Sequence, residues 1–156
     1  MATNIHDVCD LIIVKMDEAD GYLNLLKLQK LVFYTQALYL AFYDTPLFDG
    51  KFQAWVHGPV SRELYDRFRD TKTLYSDVTI ADIRKGFDGG HLSEEVQEHI
   101  GDVLDAYGKY SGAQLEAMTH REDPWLKARE GFARTDRCER EIDEALMQTF
   151  YAAQQA

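Results

Sequence analysis

The chain has 156 residues, 46% of them hydrophobic, which is enough for one domain with an ordinary buried core. Its 27 acidic and 17 basic side chains give a net charge of -10, which repels phosphate backbones and anionic lipid. This charge argues against free nucleic acid and membranes as ligands. Residues 1–20 lack the basic start and the long apolar run of a signal peptide. We therefore expect a single domain over residues 1–156 that acts in the cytoplasm.

The two cysteines give no sign of a covalent or metal framework. Cys9 and Cys138 lie far apart and belong to no CxxC or histidine-ligand pattern. Small buried thiols in a reducing compartment account for both. We expect no disulfide, no metal site and no cofactor.

The predicted elements begin with two helices. Apolar residues recur at three- and four-residue intervals over residues 4–19, and Asp20 and Gly21 end this helix. Asn24 is a suitable N-cap for a second helix over residues 25–43, whose circumference is almost entirely apolar. Such a helix is expected to be central and largely buried. Its narrow polar stripe consists of Lys27, Lys30 and Tyr34.

Two glutamines on the second helix need hydrogen-bond partners. Gln29 and Gln36 lie on one side of an apolar cylinder, where an amide without partners destabilises the fold. We expect them to bond the backbone between Trp55 and Pro59 rather than to contact a ligand.

A small β element is predicted after the second helix. Residues 51–56, KFQAWV, alternate in side-chain character as a short strand does. Gly58 and Pro59 are expected to end this strand. Ser61 then caps a short helix over residues 62–70.

The second half of the chain is predicted to be helical after an irregular segment. Residues 71–92 permit one or two short strands or an extended excursion. Ser93 begins a helix that Gly108 ends. Ser111 forms a capping box with Gln114 at the start of the next helix.

Two further helices complete the predicted order. Asp123 and Pro124 supply an N-cap and a first-turn proline for a short helix, and Asp136 with Glu139 starts the last one. The pattern predicts a mainly α fold: a single helical domain with a small β element inserted after the second helix. The expected inward face of the last helix consists of Ile142, Ala145, Leu146, Thr149 and Phe150.

Two histidines beside predicted helix starts are the candidates for catalysis. His57 and His120 have Glu63 and Asp123 near them in sequence, and imidazoles with carboxylates relay protons or bind metals. Neither histidine has a ligand partner three or four residues away on one helix, so structural roles are favoured. A small hydrolase is an alternative that requires these groups to converge in a pocket. The histidines expected at the surface or in loops are His6, His91 and His99.

Three blocks of sequence, taken in order and spacing, resemble one family. The blocks are KLQKLVFYTQALYL at 27–40, PLFDGKFQAWVHGPV at 46–60 and YSGAQLEAMTHREDPWLKAR at 110–129. They resemble the Panacea domain, which includes phage-associated proteins and SocA-like antitoxins, and the resemblance extends over about residues 5–152. It implies a mostly helical bacterial, phage or prophage domain that neutralises a toxin by direct binding. In the SocA case it also implies an adaptor that delivers the toxin to the ClpXP protease.

The resemblance also implies roles for individual residues. A tyrosine often stands in the family where this chain has His57, which argues against His57 as an obligatory catalyst and leaves His120 as the better polar candidate. We expect structural roles for most of the matching positions. The residues that match the family blocks are Lys27, Leu28, Gln29, Lys30, Trp55, His57, Gly58, Pro59, Val60, Ser111, Leu115, Thr119, His120, Pro124 and Trp125.

Partner-binding residues are expected near the GPV and THxxDPW loops. Exposed aromatic anchors there are Tyr65, Tyr75 and Trp125, with His120 beside them. The acidic charge favours a binding module that covers a toxin, and we expect the domain itself to form the interface. A phage-encoded protein that redirects a host factor in the host cytoplasm would use the same surface. The sequence leaves this alternative, the partner's identity and the oligomeric state open.

Overall fold

The second helix lies at the centre of the molecule. In the computed structural model, which describes residues 2–155, α2 (Leu25–Tyr43) is buried at every position from 25 to 38. Four helices pack around it and cover its apolar circumference, which confirms the predicted mainly α fold. None of the helices within residues 2–155 is both long and apolar enough to cross a bilayer. The other helices are α1 (Ile5–Glu18), α3 (Arg62–Phe68), α4 (Glu94–Tyr107), α5 (Gly112–Thr119), α6 (Asp123–Ala128) and α7 (Glu144–Gln154).

Side-chain caps start four of these helices at the predicted residues. Asn24, Ser61 and Ser93 each accept a backbone N–H from the first turn of α2, α3 and α4. Ser111 and Gln114 form the predicted capping box of α5. Local hydrogen bonding therefore sets these boundaries.

The start of α6 differs from the prediction. Its N-cap is Glu122 rather than Asp123, and the Glu122 carboxylate makes no capping bond. The hydroxyl groups of Tyr34 and Tyr151 donate to this carboxylate instead, at 2.7 and 2.8 Å. A tertiary contact thus replaces the expected cap.

The last helix starts later than predicted. Asp143 caps α7, whereas Asp136 accepts a backbone N–H in a turn. Residues 140–142 cannot be helical because they pair in extended form with the first strand. The buried face of α7 is therefore Met147 and Tyr151. Among the residues expected to face inward, Ile142 is buried just before the helix, Leu146 and Phe150 are half-buried, and Ala145 and Thr149 are exposed.

The β element is a two-stranded antiparallel hairpin. β1 (Phe52–Trp55) pairs with β2 (Gly58–Ser61). The first strand was predicted, and it ends at Trp55, before Gly58 and Pro59. Those two residues open β2, a second strand that the sequence did not predict. Proline is tolerated here because its missing N–H faces an edge with which no strand within residues 2–155 pairs. Residues 140–142 pair with the other edge of the hairpin.

Residues 71–92 form the extended excursion, with two short 3-10 turns at Ile80–Asp82 and Gly89–His91. The segment is attached to α1 by buried Asp10. One oxygen of the Asp10 carboxylate accepts a hydrogen bond from Nε of Arg84, at an N–O distance of 2.6 Å. Arg67 donates to the other oxygen of the same carboxylate, also at 2.6 Å. Ion pairs therefore fix this segment, and within residues 2–155 it contributes no strand.

Both cysteines are free and buried, as the sequence predicts. Burial raises the pKa of the Cys9 thiol to about 12. A thiol that stays protonated is a poor nucleophile, so Cys9 serves the core.

Candidate interaction groove

Two side chains of α2 close the free edge of the hairpin. Gln29 accepts the N–H of Ser61 at 2.9 Å and donates its amide to the Ser61 carbonyl at 3.1 Å. Nζ of Lys30 donates to the carbonyl of Pro59 at 3.0 Å. These side chains satisfy backbone groups that would otherwise need a third strand.

The two predicted core amides are bonded to backbone, but to other partners than expected. Gln29 bonds Ser61, just beyond the predicted stretch of backbone. Gln36 accepts the N–H of Leu47 at 2.8 Å and donates to the carbonyl of Phe48 at 2.7 Å. Gln36 lies about two turns farther along α2, so it reaches the turn before the hairpin instead.

Two side chains of the third sequence block hold the hairpin from the opposite side. Nε1 of Trp125 donates to the carbonyl of Trp55 at 2.8 Å, and Nη1 of Arg129 donates to that of Ala54 at 2.7 Å. Trp125 is only 4% exposed, so it lies in the core and is not the exposed partner anchor that the sequence suggested. The three blocks therefore meet at one hairpin and fix its backbone on both sides.

The two candidate catalytic histidines lie near the tip of this hairpin. Nδ1 of His57 lies 3.2 Å from Oε1 of Glu116, at the surface. The His120 ring stacks on Trp125 with 4.2 Å between ring centroids. Burial lowers the pKa of His120, and its Nε2 has no hydrogen-bond partner among residues 2–155. His120 is therefore a neutral, packed side chain.

The carboxylates predicted for catalysis lie elsewhere. Oε2 of Glu63 lies 2.9 Å from Nε2 of His6, which ties α3 to α1. Asp123 is exposed on the first turn of α6. In the described part of the chain, neither carboxylate contacts His57 or His120, and no group of side chains there could hold a metal ion. The convergence that the hydrolase alternative requires is therefore contradicted.

His99 is a core residue rather than a surface or loop residue. Its Nε2 lies 2.9 Å from the carbonyl oxygen of Thr35, and its ring packs edge-on against Tyr39. Burial lowers the pKa of His99, which favours the neutral ring. Of the other two histidines, His91 is exposed as expected and His6 is half-buried.

A groove of about 730 Å³ lies beside the hairpin, between its tip, α3 and residues 137–139. The rings of Trp55 and Tyr65 line it with 5.0 Å between their centroids. The guanidinium of Arg62 lies 5.5 Å from the Trp55 centroid and 5.7 Å from the Tyr65 centroid. Trp55 therefore has two roles, because Trp125 holds its carbonyl while its ring faces the groove.

The lining of the groove is cationic although the protein is acidic. Its charged residues are four cations, Arg62, Arg69, Lys72 and Arg137, and one carboxylate, Glu139. Nη1 of Arg62 lies 3.0 Å from one oxygen of Glu139, and Nη2 of Arg137 lies 3.1 Å from the other. One carboxylate thus bridges two guanidinium groups at the groove wall.

Of the four residues predicted to bind a partner, the groove lining contains one, Tyr65, which is 37% exposed. Tyr75 is exposed and is outside the lining, although it follows the lining residue Leu74 in sequence. His57 lines the groove, whereas His120 packs on Trp125.

Sequence reasoning missed the charged residues of the groove. Arg62, Arg137 and Glu139 form no motif, and 77 residues separate Arg62 from Glu139. Residues 62–72 contain four basic side chains, but Glu63, Asp66 and Asp70 alternate with them, so the sequence shows no basic patch there.

Comparison with known proteins identifies the family. The family model described as "Antitoxin SocA-like, Panacea domain" matches residues 28–126. Antitoxin SocA of Caulobacter vibrioides (strain NA1000 / CB15N) is 30% identical over 127 residues, which are 76% of this chain and 66% of that protein. No solved structure gives a significant match. The chain therefore belongs to the SocA-like antitoxin family and contains a Panacea domain.

Proposed function

We propose that this chain is an antitoxin that neutralises a partner toxin by direct binding, with the groove as its contact surface. Membership of the SocA-like family supports the antitoxin role. The observation that carries the site is the groove itself, where Trp55 and Tyr65 stand beside arginine side chains. Tryptophan, tyrosine and arginine are the residues that most often dominate the energy of protein interfaces.

The rigidity of the hairpin supports this surface as the binding site. Its backbone is bonded by Gln29 and Lys30 on one side and by Trp125 and Arg129 on the other. A surface already held in place loses little conformational entropy when a partner binds. The family blocks, in this proposal, build the support, and the neighbouring arginines select the toxin.

The proposal is tested by measuring the affinity between the purified chain and the product of its neighbouring reading frame. Tyr65→Ala is expected to weaken the complex about 30-fold, as loss of an interface hot spot of about 2 kcal/mol does. Tyr43→Ala is the matched control, because Tyr43 is 46% exposed and lies outside the groove lining. Equal affinities for both variants would place the interface elsewhere, and failure to bind any such product would contradict the antitoxin role.

The family relationship supports an additional role as an adaptor that delivers the toxin to a ClpXP-type protease. This role predicts that the toxin's lifetime in cells shortens when the chain is present and is restored when the protease is deleted. A lifetime independent of the protease would limit the function to binding. The proposed place of action is the bacterial cytoplasm, where free Cys9 and Cys138 stay reduced.

A phage-encoded protein that redirects a host factor would use the same groove. The two functions differ in the partner, so the neighbouring gene product separates them. Relief of its toxicity supports the antitoxin, whereas a harmless neighbour together with capture of a host protein supports the host-directed role.

A further inference from the structure

We propose that the groove binds an acidic segment of the partner protein, and that Glu139 occupies the position of a partner carboxylate in the free chain. The inference rests on the proposed function, since it names the chemistry of the bound partner. It is carried by the charges of the groove wall and by the two contacts of Glu139.

Glu139 shows that the groove accommodates a carboxylate. Its two oxygens contact two different guanidinium groups, those of Arg62 and Arg137, at 3.0 and 3.1 Å. The two guanidinium groups come from α3 and from the segment before α7, so they form a clamp across the groove wall. Planar guanidinium groups bind carboxylates with directional, charge-assisted hydrogen bonds.

The ion pairs of Glu139 with Arg62 and Arg137 are weak enough for a partner carboxylate to displace Glu139. Arg137 is 84% exposed, and Arg62 and Glu139 are also open to solvent. Exposed ion pairs contribute little stability because water screens them. Glu139 lies in the irregular segment between α6 and α7, so no helix or strand holds its side chain in the clamp. A carboxylate from a partner can therefore take its place at low cost.

The two guanidinium groups that Glu139 bridges favour an acidic occupant. The lining holds four cations against one carboxylate, in a chain of net charge -10. Displacement of Glu139 leaves Arg62 and Arg137 in need of negative charge. The other two cations, Arg69 and Lys72, already lie 3.5 and 3.2 Å from carboxylate oxygens of Asp66 and Asp82. Charge complementarity of this kind selects among partners more than it raises affinity.

The aromatic pair favours a peptide over a nucleotide. Arg62 already lies against both Trp55 and Tyr65. A nucleotide base therefore cannot stack between these two rings. The groove lining also includes apolar Val60 and Cys138, which suit the side chains that flank an acidic residue.

Fluorescence anisotropy with labelled octaglutamate at low ionic strength tests the inference, with octaglutamine as the neutral control. Arg137→Gln is expected to lower the octaglutamate affinity up to about 5-fold, the upper range for one exposed ion pair at low ionic strength. Glu139→Gln is expected to raise it several-fold, because the resident carboxylate no longer competes. Arg121→Gln and Glu130→Gln are the matched controls, since both residues are exposed, lie outside the groove lining and change the net charge equally.

Three results would overturn the inference: equal binding of octaglutamate and octaglutamine, equal shifts in the groove variants and their controls, or tighter binding of inorganic triphosphate than of octaglutamate. Unchanged thermal unfolding of the four variants establishes that they are folded. The toxin complex then separates the two proposals. If the toxin binds the wild type, Arg137→Gln and Glu139→Gln equally, the acidic-segment inference fails and the antitoxin role stands. If no toxin binds but the peptide responses appear, the groove chemistry stands and the antitoxin role fails.

Discussion

Lys30 is expected to make the stability of this protein depend on pH. Its side chain is fully buried, and Nζ donates to the carbonyl of Pro59. Burial lowers the pKa of Lys30 from 10.5 to about 7. The amine is therefore neutral in the folded protein at a pH where the unfolded chain still carries its charge.

The sign of the effect follows from proton binding. Between pH 7 and pH 10.5 the unfolded chain binds one proton more than the folded chain at Lys30. Stability therefore rises with pH across this window and is lost as the pH falls towards 7. A full proton of difference is worth about 1.4 kcal/mol per pH unit. The free energy of unfolding should therefore rise by roughly 2 to 3 kcal/mol between about pH 7.5 and about pH 9.5.

Lys30→Met removes the titrating group while keeping most of the buried side-chain volume. Urea unfolding at several pH values should show that the free energy of unfolding of the variant lacks the increase with pH attributed to Lys30. This expectation does not depend on how stable the variant is. Lys85→Met is the control. Because Lys85 is exposed, its substitution should leave the slope of unfolding free energy against pH unchanged. If wild type and Lys30→Met show parallel pH profiles, Lys30 is charged in the folded state and its lowered pKa is refuted.

Three other substitutions test the hairpin support, each by urea unfolding. Trp125→Ala should destabilise the protein by about 3 to 5 kcal/mol through cavity formation, and unchanged stability would refute its core role. His57→Ala should cost less than about 1 kcal/mol, since its ion pair with Glu116 is exposed, and a larger loss would show that this pair supports the hairpin tip. Gly58→Ala should cost more than about 2 kcal/mol, because φ is +105 and a Cβ would lie 2.5 Å from Lys30 Cε. Gly86→Ala, where φ is +79 and nothing lies within 4 Å, should cost less, and equal losses would show that contact with Lys30 contributes nothing.

Local signals made the helical part of the fold predictable. Asn24, Ser61 and Ser111 cap helices with hydrogen bonds that span three residues, which a sequence pattern reveals. The start of α7 was not predictable in this way. Residues 140–142 are held in extended form by β1, which lies far away in sequence, and this pairing overrides the local cap signal at Asp136.

The residues that hold the hairpin beside the groove were more predictable from the sequence than the charged residues that line the groove. The sequence blocks indicated that Gln29 and Trp125 have structural roles, and long-range hydrogen bonds to the hairpin account for both. Arg62 and Glu139 belong to no motif, and only the fold brings them together. The predicted catalytic set failed for the same reason, because the fold pairs Glu63 with His6.

The most direct test of the central claim is growth of cells that express the neighbouring toxin together with this chain. The account predicts that the wild type and Tyr43→Ala restore growth, whereas Tyr65→Ala at equal protein level does not. Full rescue by Tyr65→Ala would contradict the groove as the neutralising surface. Absence of rescue by the wild type, with a toxic neighbour and both proteins expressed, would contradict the antitoxin role itself.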